Sequence, residues 1–137
     1  MQPVKCMLDT HTLLWAIGNT KKLSKKVIQT IIDPNNEIFI SAVSLWEIAI
    51  KCSIGKLEVD FNIENIPDYC HTMGFSMMPL EPVDALNSYK LPFRNDHKDP
   101  FDRMLIYQCI QNGITFITID SRIDLYKEDG LNCIWNN

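Results

Sequence analysis

Four carboxylates stand in contexts suited to metal-assisted chemistry: Asp9, Glu47, Asp102 and Asp120. Asp9 ends the apolar run VKCML, and Asp120 follows ITFITI. Asp102 lies in DPFDRMLI, and Glu47 sits inside the apolar stretch VSLWEIAIK. An acid at the carboxyl end of a strand, or opening a helix beside it, stands where open α/β sheets build their sites. Several carboxylates gathered in one partly buried crevice repel one another, and a hard divalent cation is the usual remedy. A bound ion of that kind lowers the pKa of a water and steadies charge on a phosphate, so no Ser, Cys or His nucleophile is required.

Each acid also has a purely structural reading. Asp9 suits a cap for the helix beginning near Thr10, a common use of Asp. Ser44-Leu45-Trp46-Glu47 fits the capping box S-x-x-E. Ser41 is the better cap because it closes a strand, which leaves Glu47 well inside a helix among apolar neighbours, where an acid needs a partner. Asp99 reads as an N-cap, with Pro100 at the first helical position. Asp102 then falls on the third position, where the helix dipole favours it, and Arg103 is placed to pair with either carboxylate. Asp120 reads alternatively as a turn aspartate. Thr118 points to the same side of its strand as Asp120, and suits a hydrogen bond to a carboxylate or to a metal-bound water. The remaining acids, among them Glu58, Asp60, Glu64, Asp68, Glu81, Asp84, Glu128 and Asp129, read as solvated surface. His11 reads as an early-helix residue, His71 as surface, and His97 as a loop residue within reach of the crevice.

The elements that would position these groups alternate. Val4–Leu8 reads as a buried strand and THTLLWAI as a helix, with Thr10 as its cap. Residues Lys21–Ile32 carry an apolar stripe of period near 3.6. EIFIS is a second strand, followed by a helix that stops near Gly55. Ile63–Met73 is a weaker helix ended by Gly74, FSMMPL a short extended segment, Val83–Leu91 a helix, and Pro92–Lys98 a polar loop. A helix then runs from Asp99-Pro100 to Gly113. ITFITI is the clearest strand, Ser121–Tyr126 a short helix, and NCIW a final strand. Strands alternating with helices predict βαβ units and a mainly parallel sheet. Convergence of the acids requires the first and fourth strands to be neighbours.

At 137 residues the whole chain, 1–137, is expected to form one domain with a real core. Its hydrophobic fraction of 46% and charged fraction of 22% are ordinary for a globular protein. No apolar run reaches membrane-spanning length, and the opening MQPVKCMLDT reaches an acid too soon for a signal peptide. Five cysteines without a CxxC pair point to reduced thiols in a cytoplasmic protein rather than to disulfides or zinc. A net charge of −4 argues against a passive nucleic-acid binder, though not against an enzyme whose metal supplies the positive charge.

MLDTHTLLWAI, SAVSLWEIAIK with GKL after it, HKDPFDRMLIYQC and TFITID occur in that order. Together, from about Met7 to Asp120, they resemble the PIN-domain family, and within it the VapC-type toxins of type II toxin–antitoxin systems. The resemblance implies an α/β three-layer sandwich with a central, mainly parallel sheet flanked by helices. It also implies a metal-dependent endoribonuclease using Mg²⁺ or Mn²⁺, with Asp9, Glu47, Asp102 and Asp120 as the catalytic, metal-binding quartet. Asp9, Asp102 and Asp120 would bind one or two ions, and Glu47 would ligate a second ion or orient the attacking water. Thr118 and Asp99 support them. RNA as substrate, a cognate antitoxin protein, a homodimer and no membrane association follow from the same resemblance. Many relatives carry a histidine pair before DPFDR, where this chain has Asp96-His97. Two alternatives stand beside this reading: a non-enzymatic α/β interaction module whose acids are helix caps, and a phosphatase with Asp9 as phosphate acceptor.

Overall fold

The computed structural model describes residues 3–136. Five strands, β1 (Lys5–Leu8), β2 (Glu37–Ser41), β3 (Ser76–Met78), β4 (Thr115–Thr118) and β5 (Asn132–Trp135), form one sheet in the order β3-β2-β1-β4-β5. Every pairing is parallel, with Met7 opposite Phe39 on one side and Phe116 on the other. The helices are α1 (Thr10–Gly18), α2 (Lys25–Ile32), α3 (Ala42–Ser53), α4 (Ile66–Thr72), α5 (Pro82–Asn87) and α6 (Pro100–Asn112).

Alternation along the strands builds two cores. Cys6 and Leu8 face one side and Met7 the other, while Phe116 and Ile117 divide in the same way, as successive strand residues must. Leu13, Val27, Ile48 and Ile66 bring α1 to α4 onto the first face. Leu105 and Ile106 of α6, with Tyr126, cover the second. The result is the helix–sheet–helix sandwich expected from the alternating elements.

The expected punctuation holds in most places. Ser41 ends β2 and caps α3, accepting from the Val43 N–H at 3.1 Å, which removes Ser44-x-x-Glu47 as a capping box. Asp99 caps α6 by accepting from the Asp102 N–H at 2.9 Å, with Pro100 behind it. Gly113 ends α6 at φ 63°, the left-handed conformation that glycine adopts most cheaply. Five boundaries differ. The stripe Lys21–Ile32 is a 3₁₀ turn, Thr20–Lys22, followed by α2 from Lys25. The helix expected over Val83–Leu91 is α5, ending at Asn87, followed by a 3₁₀ turn, Ser88–Lys90. Asp9, not Thr10, caps α1. The segment from Ile63 is a 3₁₀ turn, Ile63–Asn65, leading into α4 rather than one helix. The segment after Asp120 is a 3₁₀ stretch, Ser121–Asp129, longer than expected.

All five cysteines are free, and Cys6, Cys70 and Cys109 are buried. Burial pushes the Cys6 and Cys133 thiols up to about 11, so both stay protonated and unreactive at neutral pH. Among the described residues no helix is long and apolar enough to cross a membrane.

Ile117 lies at the centre of the sheet with no exposed surface. Ile117→Ala is expected to cost about 2–5 kcal/mol, measured by urea denaturation; a loss below about 1 kcal/mol would contradict this packing.

Candidate functional site

The strand order reverses between β1 and β4, and the carboxyl ends of these strands open a cleft of about 320 Å³. Asp9, Glu47, Asp99, Asp102 and Asp120 all line it. Asp9 leaves β1, Asp120 leaves β4, Glu47 projects from α3, and Asp102 sits in the first turn of α6. The four acids singled out in the sequence therefore meet at one switch point, and Asp99 joins them while capping α6.

Asp9 is only 6% exposed. It accepts the Thr10 N–H at 2.8 Å and the Thr118 hydroxyl at 2.6 Å. Burial raises its pKa, against those two hydrogen bonds, and the Glu47 charge raises it further. Thr118 also accepts from the Asp120 N–H at 3.1 Å, so one hydroxyl ties the two strand-end acids together. Glu47 is buried. It accepts from the Thr10 hydroxyl at 2.5 Å and pairs with Lys51 one helical turn on. Burial works against the Lys51 charge, but Glu47, with Asp99 and Asp102 beyond it, outweighs that and holds its pKa up.

Asp102 is crowded by four other carboxylates. Burial first, then the charges of Asp9, Asp99, Glu47 and Asp120, push its carboxyl up to about 8. Asp120 goes the other way: hydrogen bonds from Arg122 at 2.7 and 3.0 Å hold its pKa down. The cleft thus holds two cations of its own, Lys51 and Arg122.

Arg103 departs most from the sequence reading. His97 is the loop residue expected within reach of the cleft, and it is buried there, 3% exposed. Asn95 and Asp96 both take positive φ, 47° and 58°, and the His97 N–H closes the turn on the Arg94 carbonyl at 2.9 Å. Asn and Asp tolerate that conformation, and the turn sends the ring inward to Asp102, 3.2 Å from Nε2 to Oδ2. An Asn-Asp turn just before the Asp-Pro helix start was the available signal. Arg103 pairs with neither neighbouring carboxylate. It donates to the carbonyls of Leu91 and Pro92 and to the Tyr126 hydroxyl. Asp129, read as solvated, is held by Arg94 through two hydrogen bonds of 2.8 and 3.1 Å. His11, read as a plain helix residue, lines the cleft.

Capping explains part of this. Asp99 caps α6, while Asp9 and Asp120 accept from N–H groups of the segments they open. It does not explain a buried glutamate inside α3, nor the crowding of negative charge on Asp102. A half-buried cluster of carboxylate oxygens, in which burial and then mutual repulsion raise one member to about 8, fits a hard divalent cation, which takes oxygen ligands and relieves the repulsion. The tightest set of metal-capable atoms among the described residues is His97, Asp102 and Asp120, all within 4.8 Å of one another.

The family model described as PIN domain matches residues 6–129. Ribonuclease VapC22 of Mycobacterium tuberculosis is 22% identical over 133 residues, covering 94% of this chain and 97% of that protein. Among solved structures, VapBC2 from Rickettsia felis bound to a promoter DNA fragment matches with a TM-score of 0.69 at 15% identity, over 98% of this chain and 100% of that one. DNA-bound VapBC from Salmonella typhimurium matches with a TM-score of 0.65 at 16% identity, over 98% and 99%.

The raised Asp102 pKa sets a sign for stability. Between its ordinary 3.8 and about 8 the folded chain holds a proton that the unfolded chain has lost, so stability falls as pH rises through that window. Metal-free protein is expected to melt lower at pH 8 than at pH 5. Asp102→Asn is expected to flatten that slope and raise the pH 8 melting temperature by several degrees, about 4 °C per kcal/mol relieved. Thermal melts across pH check both, and a metal-free profile of equal slope in the two proteins would refute the assignment.

Proposed function

The chain belongs to the PIN domain family, and from that premise we propose that it is a metal-dependent endoribonuclease, the toxin of a type II toxin–antitoxin module. The observation that carries this reading is the convergence of Asp9, Glu47, Asp102 and Asp120 in one cleft at the switch point of a parallel sheet.

Asp9, Asp102 and Asp120 would hold one or two Mg²⁺ or Mn²⁺ ions, with Glu47 ligating a second ion or orienting the attacking water. When bound, such an ion lowers the pKa of water and neutralises charge developing on the phosphate. The chain's own groups prepare the rest. Thr118 locks one Asp9 oxygen and the backbone of Asp120 in place. The Thr10 hydroxyl and Lys51 orient Glu47. Lys51 and Arg122 offset two of the five carboxylates lining the cleft of a chain whose net charge is −4, so the bound cation would supply the positive charge that meets an RNA phosphate.

An antitoxin protein would occupy this cleft or its rim. Both solved neighbours described above are VapBC proteins bound to DNA, which supports assembly with a partner of that kind. A homodimer would draw on exposed apolar side chains such as Trp46, 58% exposed and edge-on to Phe101. The reduced thiols fit a cytoplasmic enzyme.

Antitoxin-free protein is expected to cut a mixed RNA pool with Mg²⁺ or Mn²⁺ and not with EDTA. Asp9→Asn and Asp102→Asn should each lower the rate at least about 100-fold, since each removes a ligand charge. Gel-resolved cleavage decides this, and variants that cut as well as wild type would remove the site assignment.

A further inference from the structure

The DPFDR arginine acts on the cleft at one remove. Its guanidinium is a donor only. It is held by the Leu91 carbonyl at 2.7 Å and the Pro92 carbonyl at 3.0 Å, and it also donates to the Tyr126 hydroxyl oxygen at 3.1 Å. A phenol has one hydrogen, and the other neighbour of that oxygen is His97 Nδ1 at 3.0 Å. Among the described residues Nδ1 is the one acceptor within reach of that buried hydrogen, which would otherwise stay unpaired, so the geometry has the Tyr126 hydroxyl donating to Nδ1. A nitrogen that accepts carries no proton, so the ring proton is on Nε2, and Nε2–H donates to Asp102 Oδ2 at 3.2 Å. The tautomer is assigned from these partners, the Tyr126 contact deciding it. Tyr126 has no exposed surface and His97 is 3% exposed, so water does not compete for either bond.

We propose that Arg103, Tyr126 and His97 form a one-way hydrogen-bond relay that fixes His97 as the Nε2–H tautomer and makes it the positioning residue of Asp102. It rests on Asp102 being a metal ligand. His97 lies in the tightest group of metal-capable atoms, yet a protonated Nε2 has no lone pair to give an ion. His97 is a donor to a ligand, not a ligand. The relay occupies Oδ2 and leaves Oδ1, which receives no hydrogen bond among the described residues, for the cation. Partners of this kind hold a ligating carboxylate in one orientation, and losing them typically costs 10- to 100-fold in metal affinity or activity.

Long-range ¹H–¹⁵N NMR of the full chain at neutral pH reads the tautomer directly. There are three histidines, so His97→Gln assigns the resonance. The expected result is bare Nδ1 and protonated Nε2, unchanged by Mg²⁺. Tyr126→Phe should give a mixture of tautomers, and both Tyr126→Phe and His97→Ala should weaken Mg²⁺ binding about tenfold in a thermal-shift titration. His97→Gln, which keeps an N–H donor, should bind Mg²⁺ more tightly than His97→Ala. Protonated Nδ1 in the wild type, loss of the Nε2 proton on adding Mg²⁺, or unchanged Mg²⁺ affinity in His97→Ala would each overturn the relay. The wild-type spectrum does not depend on any variant folding. Nor does it depend on RNA cleavage: the expected tautomer in a protein that cuts no RNA would refute the nuclease alone.

Discussion

The parallel pairing of β1 with β4 is the constraint on which the site depends. Cys6, Met7 and Leu8 lie opposite Thr115, Phe116 and Ile117, and the ladder continues past β1 as the Asp9 N–H bonds the Ile117 carbonyl at 2.9 Å. That register sets two acids, far apart in the chain, side by side at the same edge of the sheet. A slip of one residue would turn Thr118 to the opposite face and break its 2.6 Å bond to Asp9. The buried apolar strand residues thus do two things: they bury enough surface to hold the sheet, and they fix which carboxylates meet.

Bringing those carboxylates together opposes folding, and the cleft shows how the cost is distributed. Glu47 is neutralised by Lys51, and Asp120 by Arg122. Asp9 is solvated by a hydroxyl and a backbone N–H. Asp102 has only the His97 imidazole as a partner, and burial first, then the field of the other acids, push its pKa up. The site is least balanced where α6 begins. There a bound cation would gain most, and there Asp99, Pro100 and the inward-facing His97 restrict the backbone.

A larger cavity than the acidic cleft lies elsewhere. A groove of about 760 Å³, lined by side chains such as Leu23, Ile28, Ile31, Ile38 and Phe75, runs along the other end of the sheet. Of its lining residues only Asp33 is titratable, so it gathers no cluster of acids. Volume therefore misidentifies the reactive site in this fold, and the convergence of titratable groups identifies it.

Much of the molecule was legible in the order of its residues. The alternating apolar runs, Ser41 as a cap, the Asp99-Pro100 helix start and the Gly113 stop are local features, set by hydrogen bonds within a few residues, so the pattern alone predicted them. The acids Asp9, Glu47, Asp102 and Asp120 were legible as candidates because an acid beside a buried apolar run stands out. What the pattern left open was every relation across the fold. Arg103 was expected on a neighbouring carboxylate and reaches Tyr126 instead, through contacts spanning 23 residues. His97 was legible as a loop residue near the crevice, but its burial and its contact with Asp102 depend on the Asn95-Asp96 turn that folds it inward. Asp129 resembled surface until Arg94 met it. Local chemistry determines the elements and the inventory of charged groups. Which of those groups touch, and which of them lacks a counter-charge, is decided only when parallel strands and packed helices place them in one low-dielectric cleft.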